Sequence, residues 1–193
     1  MNRPHAAAVP PLARIAGRSW VWRLALVAVG VAVLGASAQV SVPMVPVPMT
    51  LQSYAIVTLA ALAGWRLAGE LVGAYLLVGL LGAPVFSGAK GGLGVLTGPT
   101  GGYLAGFLLA ALVVGWMVER PARSQVLRWF SAATLGHIVL LGFGVGWLAT
   151  KIGTDLAVQK GLIPFLPGSV VKVLLATATL ILVSRLDGGR SRR

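Results

Sequence analysis

The chain has no cysteine, only four acidic residues and two histidines. Without cysteine there is no disulfide, no thiolate nucleophile, no iron–sulfur ligation and no cysteine-held zinc, and redox chemistry says nothing of the compartment. The two histidines, His5 and His137, lie far apart in sequence, so a multi-histidine metal site is not expected. Charged residues of both signs make up 10% of the 193 residues, whereas a soluble domain carries about 25%. Familiar catalytic signatures are missing as well: there is no GxxxxGK[ST] phosphate loop, no HExxH, no GxSxG, and no pair of carboxylates within a motif. An intramembrane hydrolase built from Ser87 or Ser169 with His137 is the enzymatic reading left, and the helix order sets His137 deep in its segment, away from both serines. Neither an enzyme nor a cofactor is expected.

What fills the chain instead is apolar. Hydrophobic residues make up 57% of it and the mean hydropathy is +0.88, the composition of an integral membrane protein. Its length suits one bundle of short-looped helices and leaves no room for a second domain of ordinary size. The net charge of +12 would suggest nucleic acid in a soluble chain. Here the basic residues gather near the ends of apolar runs, so membrane topology accounts for them and no nucleic acid is expected.

The first run, 20–38, follows a basic segment as a signal peptide would, but it is long enough to span a bilayer and more such runs follow. Ala28, Ala32 and Ala36 form a small-residue stripe along it, able to admit another helix closely or to pack internally. Prolines 43, 46 and 48 forbid helix in the next stretch, which reads as an extended lid or loop. Helices are expected at 50–63 and 67–81, joined by a tight turn at Gly64-Trp65-Arg66, then from about 97 to 118, 126–150 and 168–185. Thr97 to Thr100 reads as a hydroxyl-capped start with proline just inside. Gly98, Gly102 and Gly106 fall on one face, where a neighbouring backbone can approach. Glu70 lies four residues from Arg66 and is expected to pair with it, a role in proton coupling being the other reading.

The expected architecture is thus an all-α membrane bundle of six transmembrane helices over 20–185, with a basic segment at 1–19 and a basic tail at 186–193. The twelve arginines fall at one set of helix ends and the four lysines at the other. By the positive-inside rule the arginine side is cytoplasmic, with both termini inside. The proline-rich loop, the glycine-rich stretch 84–107 and the start of the last helix then share the outer face. Glycines let a backbone approach a ligand closely, or merely turn. Lys90 and Lys172, with helix N-termini beside them, suit an anionic group or snorkel to the interface. With apolar walls from Val45, Pro46 and Tyr103, the natural ligand is a small amphipathic anion.

The strings VPVPMTLQ at 45–52, LTGPTGGYLAGF at 96–107 and PFLPGSVVK at 164–172 resemble those of the BioY family, the biotin-specific substrate-binding (S) components of energy-coupling factor transporters. The resemblance implies a six-helix bundle in the bacterial cytoplasmic (inner) membrane, capture of biotin on its outer side, and assembly with a transmembrane coupling protein (T component) and two ABC-type ATPases. It implies that Thr50 and Gln52 belong to the lid, Lys90 and Tyr103 to the loop and pocket, and Lys172 to the last-helix site. It also implies that Ala28, Ala32 and Ala36 dock the coupling protein. The family pattern usually has an acidic residue where Ser169 stands, so Ser169 would hydrogen-bond the ureido group and Lys172 would hold the carboxylate or pair with Asp155. An autonomous carrier, solitary or a homo-oligomer, and a transporter of a related vitamin stay open beside this reading.

Overall fold

The computed structural model of the chain describes residues 10–190, with side chains as far as Leu186. Arg3, His5, Arg192, Arg193 and the side chain of Arg190 lie outside the described residues. In chain order the helices are α1 (Pro11–Ala16), α2 (Trp20–Gln39), α3 (Gln52–Leu80), α4 (Gly94–Thr97), α5 (Gly101–Val118), α6 (Gln125–Ile152), α7 (Thr154–Ala157) and α8 (Phe165–Arg190). A π-helical turn, Val158–Leu162, connects α7 to α8. The expected all-α fold also contains a small antiparallel ribbon, β1 (Ser41–Val42) on β2 (Met49–Thr50), with Ser41 opposite Thr50. It brackets the prolines that exclude helix there.

Among the described residues five helices, α2, α3, α5, α6 and α8, are long and apolar enough to cross a membrane. The second of them is not straight. Gly64 has φ 74° and ψ 169°, a conformation that glycine reaches without a Cβ clash. The Gln52 amide nitrogen lies 2.5 Å from the Tyr75 hydroxyl, yet an unbroken helix would hold those residues about 35 Å apart at 1.5 Å per residue. Gly64 therefore folds α3 back into two limbs, 52–63 and 65–80, where the sequence places a turn. The freed Trp65 N–H donates to Glu119 Oε1 at 3.2 Å, so α5 supplies the acceptor that the break removes.

Helix starts follow local chemistry, with two departures from expectation. Ser19 and Ser124 accept from Trp22 N and Leu127 N, both at 3.3 Å, and cap α2 and α6. The Thr97 hydroxyl donates back to Gly94 O at 3.0 Å instead of capping the next helix. Accordingly α5 begins only at Gly101, and Thr100 makes no side-chain cap bond. By contrast α8 begins at Phe165, three residues before the expected start, because Pro167 falls in the first turn, where its missing N–H breaks no ladder. It also continues to Arg190, through the first residues of the expected tail.

At the centre of the bundle α5 packs on α3 and α6. A Cβ on Gly102 would stand 2.1 Å from Trp147 Cβ and 2.6 Å from Phe143 O, and one on Gly106 would stand 3.0 Å from Leu140 O. The expected small face of α5 therefore meets α6, while Gly98 lies before α5. Leu34, Ile56, Leu71, Tyr75, Val114 and Leu148 are fully buried in this core. α2 turns Leu34 and Ala38 inward and leaves Ala28, Ala32 and Ala36 exposed, so the alanine stripe is not used in packing within the chain. Glu70 pairs with Arg23 of α2 through two hydrogen bonds, and not with Arg66 as expected. Arg66, just past the break, lies over the Trp65 ring at 5.2 Å.

Candidate functional site

At the end of the bundle where α5 and α8 begin, the loops and helix ends enclose a cavity of about 400 Å³. Its roof is the proline ribbon. Pro46, Val47, Pro48 and Thr50 line it, and Met49 packs on Gly168, where a Cβ would stand 2.5 Å from its sulfur. Val45, expected in the wall, is 86% exposed, and Val47 at 3% takes the inward position. One side of the mouth is the glycine-rich loop, in which Phe86 and Lys90 pair across a tip formed by Gly88 and Ala89. Ala89 has φ 53°, an uncommon place for a residue with a Cβ. Gln39, at the end of α2, holds that tip by accepting from Ala89 N at 3.1 Å and donating to Phe86 O at 3.1 Å.

Gln52 and Tyr75 tie both limbs of α3 to this loop. The Tyr75 hydroxyl receives the Gln52 amide and donates to Val85 O at 3.1 Å, and the Phe86 ring stands edge-on to Tyr75 with centroids 5.5 Å apart. Opposite them, Lys172 Nζ donates to Thr50 O at 2.5 Å and to Ser53 Oγ at 3.0 Å. These two bonds join α8 to the ribbon and to the start of α3. They use two of the three ammonium donors and leave one for a ligand. Tyr103 donates its hydroxyl to Gly161 O at 2.8 Å and stacks on Phe165 at 5.8 Å. It is 4% exposed, so it is a wall residue and not an interfacial belt tyrosine.

Thr50, Gln52, Lys90, Tyr103, Ser169 and Lys172 thus all line one cavity. Asp155 does not: it is exposed on α7, and the oxygens that hold Lys172 belong to Thr50 and Ser53. His137, in the middle of α6, also lines the cavity, as do Ser87 and Ser169. The cavity reaches down between α3, α5, α6 and α8 to the middle of α6, where His137 stands. Its Nδ1 bonds to Ala133 O at 3.0 Å, and Nε2 has no partner among the described residues, so neither serine is coupled to it.

The electrostatics are one-sided. Among the described residues two lysines line the cavity and no carboxylate does, while Leu104, Phe107, Leu140 and Phe165 make apolar wall. Among the described residues no group of three or more His, Asp or Glu is placed to hold a metal. The arrangement suits a small molecule with an anionic end, an apolar body and further polar groups. The volume falls within the range of about 300–1,000 Å³ found for small-ligand pockets. Sequence reasoning missed Gln39, Ser53, Tyr75 and Phe86. Gln39 and Tyr75 carried a usable signal, each being a polar group in or closing an apolar run; Ser53 and Phe86 carried none.

The model of the BioY family matches residues 9–188. The chain is 35% identical over 160 residues to the biotin transporter BioY of Thermotoga maritima, covering 81% of this chain and 92% of that one. It is 32% identical over 159 residues to the biotin transporter BioY2 of Lactococcus lactis subsp. cremoris, covering 81% and 87%. Among solved structures, the S-component for biotin from an ECF-type ABC transporter superposes with a TM-score of 0.71 at 26% identity, covering 88% of this chain and 92% of that one.

Proposed function

The chain belongs to the BioY family, and we propose that it is the biotin-capturing S component of an energy-coupling factor transporter, not an enzyme. The observation that carries this reading is the cavity itself, which sets two lysines and no carboxylate among apolar walls. Biotin has a compact ureido head, an apolar thiophane and alkyl chain, and a terminal carboxylate. The head fits the deep end, beside Ser169 and the free donor of Lys172, and the carboxylate meets the exposed Lys90 at the mouth. A carboxylate at the mouth keeps part of its hydration, which burial would remove at high cost.

The chain crosses the bacterial inner membrane six times, with Gly64 dividing the second and third crossings and the first limb of α3 short for a bilayer. Both termini and the arginine ends are cytoplasmic, so the cavity faces outward. Ala28, Ala32 and Ala36, exposed along α2, are the surface on which a transmembrane coupling protein docks, and two ATPases supply the energy. That open stripe favours the partnered transporter over an autonomous carrier.

Titration calorimetry of the purified chain in detergent tests the substrate. Saturable heat is expected with biotin and none with thiamine or riboflavin. A folded chain that ignores biotin overturns the reading.

A further inference from the structure

Among the described residues, His137 is the cavity-lining residue with a fully buried side-chain polar atom that has no partner. It is 3% exposed and lines the cavity from the middle of α6. Its Nδ1 lies 3.0 Å from the Ala133 carbonyl oxygen, an atom that can only accept. Nδ1 therefore carries the ring proton, and Nε2 of the neutral imidazole presents a bare lone pair. That atom is buried and has no protein partner among the described residues. Buried polar groups are nearly always hydrogen-bonded, and an exception calls for a physical reason.

The reason lies in what else faces the cavity. The lining donors are in surplus: Lys172 retains one N–H, Lys90 has three, and Ser169 has a hydroxyl. Acceptors are fewer: no carboxylate lines the cavity, and apart from hydroxyls the lining side chains offer as acceptors only the amide oxygen of Gln52, whose nitrogen donates to Tyr75, and Nε2 of His137. The Thr50 carbonyl is engaged by Lys172. A ligand that brings its own N–H groups into this space needs an acceptor, and the fixed tautomer of His137 makes Nε2 one.

We propose that His137 is a specificity-determining residue whose Nε2 accepts a ureido N–H of the ligand. This rests on the biotin reading above. The site then selects a cyclic urea, which offers N–H donors and a carbonyl side by side, over an anion of similar length that lacks N–H. The ureido carbonyl accepts from Lys172 or Ser169, and one ureido N–H points to His137.

The test uses the full chain in detergent. His137→Leu removes the acceptor and is expected to weaken biotin binding about tenfold or more, the cost of leaving a buried donor unpaired. His137→Gln, which carries an amide oxygen near the place of Nε2, is expected to restore most of the loss. Because the leucine substitution also removes the buried bond to Ala133 O, a second readout, free of any folding effect, comes from the wild-type chain labelled with ¹⁵N-histidine. His5 is the other histidine, so His137→Gln assigns the resonances, and saturation with biotin is expected to move the His137 Nε2 signal upfield as it accepts a proton donor. An unmoved Nε2 signal at saturation, or biotin binding as tight in His137→Leu as in wild type, overturns the inference and leaves the biotin reading standing. A folded wild-type chain with no saturable biotin binding overturns both.

Discussion

The two ends of this bundle differ in how far their polar groups are answered within the chain. At the arginine end, where Gly64 reverses α3, most charges are answered within the chain, Arg128 Nε being a buried exception among the described residues. Glu70 holds Arg23, Glu119 takes the Trp65 N–H, and Arg66 and Arg120 lie over Trp65 and Trp116. At the cavity end, among the described residues, two lysines have no carboxylate near them in the lining, and a buried imidazole nitrogen has no partner. In a membrane protein unanswered polarity is costly, and buried ionisable groups mark function by default. The contrast assigns structure to one end and recognition to the other, and substitutions at each end should separate affinity from stability.

The largest effect is expected at Lys172. Lys172→Ala removes the free donor and also releases Thr50 and Ser53, which hold the roof of the cavity. A charge-assisted hydrogen bond is worth about 1.5–3 kcal/mol, so biotin affinity should fall about 100-fold, or about 2.7 kcal/mol. Titration of a variant that still melts cooperatively checks this. If that variant binds biotin like wild type, the recognition end has been misassigned.

The sequence makes the contrast partly visible. Arginines at one set of helix ends and lysines at the other are legible because charge placement in membrane proteins is a matter of chain order alone. The break at Gly64 is legible for a similar reason, since glycine before Trp-Arg between apolar runs is local chemistry. Partners are another matter. Glu70 has Arg66 four residues away in sequence, yet Arg23 from another helix claims it, because the close approach of α2, with Gly30 set against Leu71, brings a better-placed guanidinium. Asp155 and Val45 fail likewise, because which way a loop residue points depends on neighbours that are distant in sequence. His137 shows the limit most plainly. Its position in the chain is central to α6, and only the packing of four helices reveals that the cavity reaches that depth.

A smaller effect, and of the other kind, is expected at Gly64. Gly64→Ala must hold φ near +74°, and its Cβ would stand 2.2 Å from Glu119 Oε1. Strain of this kind costs about 1–2 kcal/mol, read as a lower melting temperature in detergent. Biotin affinity of the folded fraction should stay within error of wild type, since Gly64 is the length of a limb away from the cavity. A variant of unchanged stability but weakened binding would reverse the assignment of the two ends.

The smallest effect is expected at Glu70, and it sharpens the comparison most. Glu70 and Arg23 form the ion pair between α2 and α3, but both side chains are partly open, 38% and 51% exposed. Open pairs of this kind contribute little, since water and salt compete for both partners. Glu70→Gln keeps the shape and one acceptor oxygen for Arg23, so the melting temperature should change little and biotin affinity not at all. Had Glu70 served proton coupling instead, its neutralisation would leave the fold intact and still depress biotin uptake by the assembled transporter. Uptake measured in vesicles beside the melting curve separates the two roles. Unchanged uptake places the acid with the structural end, and a loss of uptake with wild-type binding and stability would give the arginine end a part in transport.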